Sequence, residues 1–472
     1  MVVDLSLTVA VGIAATIAHL AIAGAVTVHV LLNKRNVGAA ISWMGIAWLS
    51  PFLGGLLYIT MGINRVKRRA KRLRRERSHL FVVDDEAPDA VGNDPLAPLK
   101  YAVGRLTGLP MTSGNSAEVL ASGDEAYPRM IAAIDSAERS VGLCSYIFRA
   151  DTAGRAFIEA LTRAHRRGVR VRVLIDGIGG GYFWSGTDIA LRRAGVPVGR
   201  FLHSYFPWRM SFLNLRDHRK LLVVDGKIAF TGGINIGDEN VLAGSPSHPV
   251  HDTHFRLAGP VVEQLTEAFA DDWLYESGER LADDAWFPDL EEVGSVAARV
   301  VTSGPDEDLE QIEFVAQHAI SCARHSIMIV TPYFLPPETL TTALGLAAMR
   351  GIKVDIVVPE QSNHAVIDWA RQVPLRPLVG AGCNVWLGPP PFDHSKVMTI
   401  DDSWSLIGSA NWDIRSFRLN FELNVELQDP GFAVRLRKAT RTGRLLTLAE
   451  LEGEPLARRL RNNAARLLQP YL

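Results

Sequence analysis

The sequence predicts an α/β protein of two similar halves, each with a substantial sheet flanked by helices, behind an N-terminal hairpin of two apolar helices. The reasons are a short motif that occurs twice, longer echoes around each copy, and two apolar runs before residue 64.

The first copy of the motif comprises His218, Lys220, Asp225, Gly232-Gly233 and Asn235; the second comprises His394, Lys396, Asp401, Gly408-Ser409 and Asn411. Every member stands at the same offset from its histidine in both copies, the asparagine seventeen residues on. One His-x-Lys-x4-Asp is a weak signal. Two copies that also share Gly-[Gly/Ser]-x-Asn are a strong one. The runs Leu221–Val224 and Val397–Ile400 read as buried strands ending at Asp225 and Asp401. Residues two apart on an extended strand share a face, so each lysine points where its histidine points. A histidine can attack phosphorus or shuttle a proton near neutral pH. The lysine can neutralise a phosphate oxygen, the asparagine can donate to another, and the glycine pair lets backbone approach the substrate. One site made from both halves would hold two histidines, a nucleophile and an acid/base. The candidate catalytic residues are therefore His218, Lys220, Asp225, His394, Lys396 and Asp401, with Asn235 and Asn411 on substrate phosphate. For Asp225 and Asp401 the alternative is a cap on the turn after the strand.

At 472 residues the chain is long enough for two or three domains. Its 50 Lys and Arg against 51 Asp and Glu give no bulk charge that would indicate a nucleic-acid partner. Cys144, Cys322 and Cys383 are scattered, with neither metal spacing nor a disulfide framework, which suits a catalytic body in a reducing compartment.

In chain order, Leu5 to Leu32 is apolar apart from Ser6, His19, His29 and a few threonines. Asn33-Lys34-Arg35-Asn36 interrupts it, and Val37 to Met61 is apolar again, with Pro51 in the middle. Each run exceeds the ~20 residues that span a bilayer as helix. A cleaved signal peptide is disfavoured by the lack of Lys or Arg before the first run and by the second run directly after it. Arg65 through Arg77 carries nine Lys or Arg against one Glu, which puts this end, and the body behind it, on the cytoplasmic side of the plasma (inner) membrane. Two spans then put the N-terminus there too and the Lys34-Arg35 turn outside, against the charge rule. A re-entrant hairpin bent at Pro51 is the alternative. The basic run is a topology signal and also a surface for anionic headgroups. Residues 82–98 are acidic, with Pro and Gly, and read as a linker. The segments are thus 1–64 (hairpin), 65–99 (basic segment and linker), 100–290 (first half) and 291–472 (second half).

The halves echo each other outside the motifs. Ala133-Ile134, Ala137 and Ser140-Val141 return as Ala319-Ile320, Ala323 and Ser326-Ile327, and Arg167-Gly168-Val169 through Ile175 returns as Arg350-Gly351-Ile352 through Val358. Both halves read helix, strand, helix, strand, a further helix, then the motif strand. Between sheet and motif in the first half, His203–Leu215 interleaves Tyr205, Phe206, Trp208, Arg209, Met210 and Phe212. A loop in the lipid interface ranks first, a cap on the site second, a nucleic-acid groove last. Leu456–Leu472 alternates arginines with leucines and suits an amphipathic helix, with packing on the body ranked above membrane contact.

These motifs, with the strings LRDHRKLLVVDGKIAFTGGINIGDEN (215–240), HDTHFRLAGPVV (251–262), PYFLPPETLTTAL (332–344) and HSKVMTIDDSWSLIGSANWDIRSFRLNFELNVEL (394–427), resemble the phospholipase D superfamily, and among its members bacterial cardiolipin synthases. The resemblance takes in the apolar hairpin and so covers nearly the whole chain. It implies two phospholipase D-like halves, each a mixed sheet flanked by helices, packed with their motifs facing. It implies that Glu422 holds His218 and that Asp252 holds His394, each carboxylate serving the opposite half's histidine, fixing its tautomer and favouring imidazolium. It implies conversion of two phosphatidylglycerols to cardiolipin and glycerol through a phosphatidyl-histidine, with His218 as nucleophile by family habit, anionic phospholipid and membrane as partners, and no nucleic acid. Two departures stand out. His364 lies where such synthases often carry an acidic residue, and it reads as a solvated loop residue. Asp393 precedes the second histidine where an apolar residue is usual. His254 reads as structural. No cluster has metal spacing, and no metal or other cofactor is expected. The other readings are a hydrolase or headgroup-exchange phospholipase and, last, a nuclease of the superfamily. Oligomeric state is not legible.

Overall fold

The computed structural model describes residues 2–34, 37–62, 95–203, 215–304 and 310–469. The basic run, residues 82–94 of the acidic linker and the aromatic loop 204–214 lie outside the described residues, and the linker's expected end at 98 is corrected by helix Ala97–Thr107, which has already begun there. The chain divides into two units, the N-terminal segment and the body.

In the N-terminal unit, helix α1 spans Val2–Asn33, and its stretch Val9–Asn33 is long and apolar enough to cross a membrane. At 1.5 Å per residue, 25 residues reach about 37 Å, more than the ~30 Å hydrocarbon core. The second apolar run is not one helix of that kind. It forms α2 (Val37–Leu49), breaks at Ser50, and resumes as α3 (Pro51–Leu57) and a π turn to Gly62. A proline inside a helix lacks the N–H its turn needs and clashes with the carbonyl four residues back, so Pro51 starts a new helix instead. Two apolar helical runs are thus present, the second interrupted at Ser50–Pro51, and of the described helices α1 alone is long and apolar enough to cross a membrane by itself. Val26, Val30, Ala47 and Tyr58 form the small core of the turn, and the Tyr58 hydroxyl lies 2.7 Å from Nδ1 of His29. A Cβ at Gly54 would fall 2.6 Å from the Ile46 carbonyl, so only glycine lets α3 fold this tightly onto α2.

The body is built on one 16-stranded sheet whose two halves have the same strand order. The first runs Val198–Phe201, Arg170–Asp176, Ser140–Ser145, Leu221–Val224, Ile228–Gly232, Thr253–Ala258 and Thr112–Ala121. The second runs Asn384–Gly388, Lys353–Pro359, Ser326–Val330, Val397–Ile400, Trp404–Gly408, Asn420–Gln428 and Val296–Ser303. The sheets are mixed: strands Ser140–Ser145 and Arg170–Asp176 pair in parallel, and Leu221–Val224 is antiparallel to its neighbours. The halves join where Thr112–Ala121 pairs antiparallel with Val296–Ser303. Helices on the faces bury their apolar sides against alternate strand residues, as in helix Val261–Ser277, whose Leu265 and Phe269 are fully buried. All four residues of each motif strand are buried, as their apolar runs require.

Candidate active site

The tetrapeptide Asp217-His218-Arg219-Lys220 alternates between two faces. Asp217 and Arg219 turn inward, where Arg219 pairs with Asp272 of helix Val261–Ser277. His218 and Lys220 turn to the other side, as strand geometry requires. Each histidine is anchored across the molecule. Arg216–Asp217 pairs in parallel with Asn420–Phe421 of the second half, and the His218 amide donates to the Phe421 carbonyl at 2.9 Å. Phe392–Asp393 pairs in parallel with Val250–His251 of the first half, and the His394 amide donates to the His251 carbonyl at 2.7 Å.

The side chains cross in the same way. Nδ1 of His218 lies 3.0 Å from the Glu422 carboxylate, and Nδ1 of His394 lies 2.7 Å from Oδ2 of Asp252. A carboxylate on Nδ1 keeps the proton there and turns Nε2 toward the substrate side. The two copies fit carboxylates of different length. A Cβ at residue 233 would sit 2.1 Å from Asp252, so glycine leaves the room that this carboxylate fills. At the matching place Ser409 donates its hydroxyl to Glu422, which Asn420 also contacts at 3.1 Å.

Both histidines line one cavity of about 720 Å³, with Asn235, Asn411, Tyr146, Tyr333, His364, Phe392, Arg216 and Arg415 among its walls. Lys220 and Lys396 are not among the lining residues. Each ammonium is buried behind its own histidine and donates to that histidine's carbonyl. Burial lowers Lys220 to about 8 and Lys396 to about 7, and the Lys220 ammonium adds to the lowering at Lys396. Burial, then the lysines, push His218 down to about 4 despite Glu422, and the same causes hold His394 well below the ordinary imidazole value. Both imidazoles are therefore neutral: at His218 the Glu422 carboxylate does favour imidazolium, as expected of it, but burial outweighs that pull. Burial raises Asp252 to about 7, against the pull of Lys396. Glu422 goes the other way: burial raises it, but His218, Lys220 and the Ser409 hydroxyl outweigh that and hold it below the ordinary range.

Asp225 and Asp401 do not enter the cavity. A strand rises about 3.3 Å per residue, so the seven-residue offset can carry each aspartate up to about 23 Å from its histidine. There the Asp225 carboxylate accepts from the amides of Glu138, Arg139 and Ser140, and Asp401 from those of Arg324, His325 and Ser326, at 2.7 to 3.2 Å. Both have positive φ, +52° and +50°. These contacts are those of the turn-capping alternative. His254 is buried away from the cavity beneath Gly232, with neither ring nitrogen bonded among the described residues. His364 is exposed, as a loop residue should be, yet it lines the cavity with its ring 5.9 Å from Tyr333.

Among the lining residues that sequence reasoning missed, four carry rings or charge into the wall. The Tyr146 ring meets His218 edge-on at 4.9 Å, Tyr333 stands 6.1 Å from His394, and Arg216 and Arg415 add two guanidinium groups to the wall. The one signal in the sequence is that Tyr146 and Tyr333 each follow closely on the apolar runs that begin at Ser140 and Ser326.

A family model described as cardiolipin synthase, phospholipase D-like domain, matches residues 130–273 and 317–441, more than half of the chain. The chain belongs to this family. A cardiolipin synthase of Geobacillus kaustophilus is 31% identical over 456 residues, covering 93% of this chain and 90% of that protein. The major cardiolipin synthase of Bacillus subtilis is 32% identical over 457 residues, with 93% and 95% covered. Among solved structures, a phosphatidylserine synthase of Haemophilus influenzae superposes with a TM-score of 0.63 at 17% identity, covering 79% of this chain and 100% of that one. That likeness is one of fold, and it spans both halves of the family's architecture.

Proposed function

We propose that the chain is a cardiolipin synthase, a membrane phosphatidyltransferase that converts two phosphatidylglycerols to cardiolipin and glycerol. The observation that carries this reading is the pair of histidines on one cavity, each held at Nδ1 by a carboxylate of the opposite half, in a chain of this family. Nε2 of His218 attacks the phosphorus of the first lipid. The P–O bond to glycerol breaks, and His394 delivers a proton to the departing oxygen. His394 then takes the proton from a hydroxyl of the second lipid, whose oxygen attacks phosphorus as the P–N bond to His218 breaks. One phosphodiester replaces another, so the step needs no nucleotide.

Neutral imidazole suits the attack. The bound phosphodiester anion offsets the positive charge of Lys220 and Lys396, which lets the second imidazole hold the proton it must deliver. The lysines act from behind the histidines as buried positive charge, and Asn235 and Asn411 act from the wall as donors to phosphate oxygen. In this reading residues 1–64 anchor the chain in the plasma membrane, 65–99 lead from it, and the halves 100–290 and 291–472 work on the cytoplasmic side on anionic phospholipid.

The test is lipid mass spectrometry of the purified chain in phosphatidylglycerol vesicles, beside His218→Ala. Cardiolipin and glycerol should form in equal amounts with the wild type alone. Phosphatidic acid in place of cardiolipin would make the protein a hydrolase and overturn the proposal.

A further inference from the structure

The C-terminal helix, Leu456–Arg466, is docked with the wrong face inward for a helix of a soluble body. Its buried residues are Asn462 and Ala465. Ala465 packs with Leu335, Ile367 and Ala370, Asn462 bonds Glu454 at 3.0 Å, and Arg461 lies over the Trp369 ring at 4.5 Å. The leucines are left out: Leu456, Leu460 and Leu467 are 69%, 63% and 79% exposed. At 100° per residue these three fall within about 40° of one another, close to opposite the buried pair. Arg459 and Arg466 share one flank of that stripe. Water is an unfavourable neighbour for three aligned leucines, and covering them with something apolar would stabilise the arrangement.

The inward face of this helix packs on helix Ala365–Gly380, which forms part of the cavity wall. Ile367, which packs on Ala465, also lines the cavity, as does His364 at the start of the same helix. We propose that this helix lies in the interface of an anionic bilayer, leucines among the upper acyl chains and Arg459 and Arg466 at the headgroups, so that the cavity is held at the level of its lipid substrates. A long apolar stripe flanked by arginine has the composition of a surface-lying helix. The existence of this surface does not depend on which phospholipid reaction the cavity performs.

The experiment uses the full chain in nanodiscs of phosphatidylglycerol and phosphatidylcholine. Cys144 and Cys383 are buried, so Cys322→Ser leaves Leu460→Cys as the site for an environment-sensitive fluorophore. Retained lipid turnover shows that the labelled protein is folded. Brominating the acyl chains of the phosphatidylcholine should cut the label's emission at least twofold, and Arg459→Glu with Arg466→Glu should remove most of that quenching. A label that bromine does not quench would overturn the proposal: with red-shifted emission the stripe faces water, with blue-shifted emission a second copy or another protein covers it. Quenching unchanged by the two glutamates would overturn the role of the anionic surface.

Discussion

Asp252 and His394 come from opposite halves of the chain, 142 positions apart, and meet at 2.7 Å with the carboxylate wholly buried. Their mirror, Glu422 and His218, is 204 positions apart. Asp252→Asn and Glu422→Gln keep shape but present an amide that can donate to Nδ1 and stabilise the wrong tautomer. Each should cut kcat by about 10²–10⁴ while the protein stays folded. Steady-state kinetics with circular dichroism is the check, and near-normal kcat in either variant would remove that carboxylate from the mechanism.

Lys220→Met and Lys396→Met test the buried charge. Each lysine disfavours imidazolium, so its loss should raise the histidine pKa from its depressed value. The attacking imidazole must be neutral, so the acid limb of the kcat/KM profile should move to higher pH. The rate on the plateau should also fall by about 10²–10³ as charge stabilisation is lost. A fall in rate with the limb unmoved would mean that the lysines do not set the histidine pKa.

Asp225→Ala and Asp401→Ala should separate stability from chemistry. Each removes the acceptor of three backbone amides and places alanine at positive φ, at a cost of about 3 kcal/mol. Thermal melting should drop markedly, while kcat per folded molecule at low temperature stays within about threefold of wild type. A kcat loss of 10²-fold or more in a folded variant would return these aspartates to the catalytic set.

The roles of the histidines are tested with a phosphatidyl nitrophenyl ester, whose leaving group needs no acid. His394→Asn should release one equivalent of nitrophenol in a burst and then stall as phosphatidyl-enzyme, because the base for the second step is gone. His218→Asn should give no burst. Stopped-flow absorbance and intact mass report both, and the opposite pattern would exchange the roles.

The paired motifs were legible because a repeat with equal offsets marks both copies at once. The chain's two halves and the succession of helices and strands in each followed from the echoes around Ser140 and Ser326, but the order of the strands in the sheet did not. What offsets do not carry is direction. His218 and Asp225 belong to one motif, yet the buried strand between them sends them to opposite ends of the sheet. The carboxylate partners were reached only through the family resemblance, since nothing local ties residue 252 to 394. Tyr146 and Tyr333 were visible as aromatics but not as neighbours of histidine, a contact only the folded sheet creates. The apolar length of 37–61 concealed a break that Pro51 marks openly, and the amphipathic C-terminus did not reveal which face it would bury.

The crossed strand pairs, Arg216–Asp217 on Asn420–Phe421 and Phe392–Asp393 on Val250–His251, interlock the halves so that neither completes a histidine site by itself. A single half could meet that demand only as a two-fold dimer, in which any change appears on both sides. Fusion into one chain lifts that restriction. Gly233 faces Asp252 while Ser409 serves Glu422, and Arg216 stands two residues before its histidine where the other copy has Phe392. The duplicated chain is thus free to specialise its two histidines, and a donor and an acceptor lipid can meet unlike walls inside one ancestral symmetry.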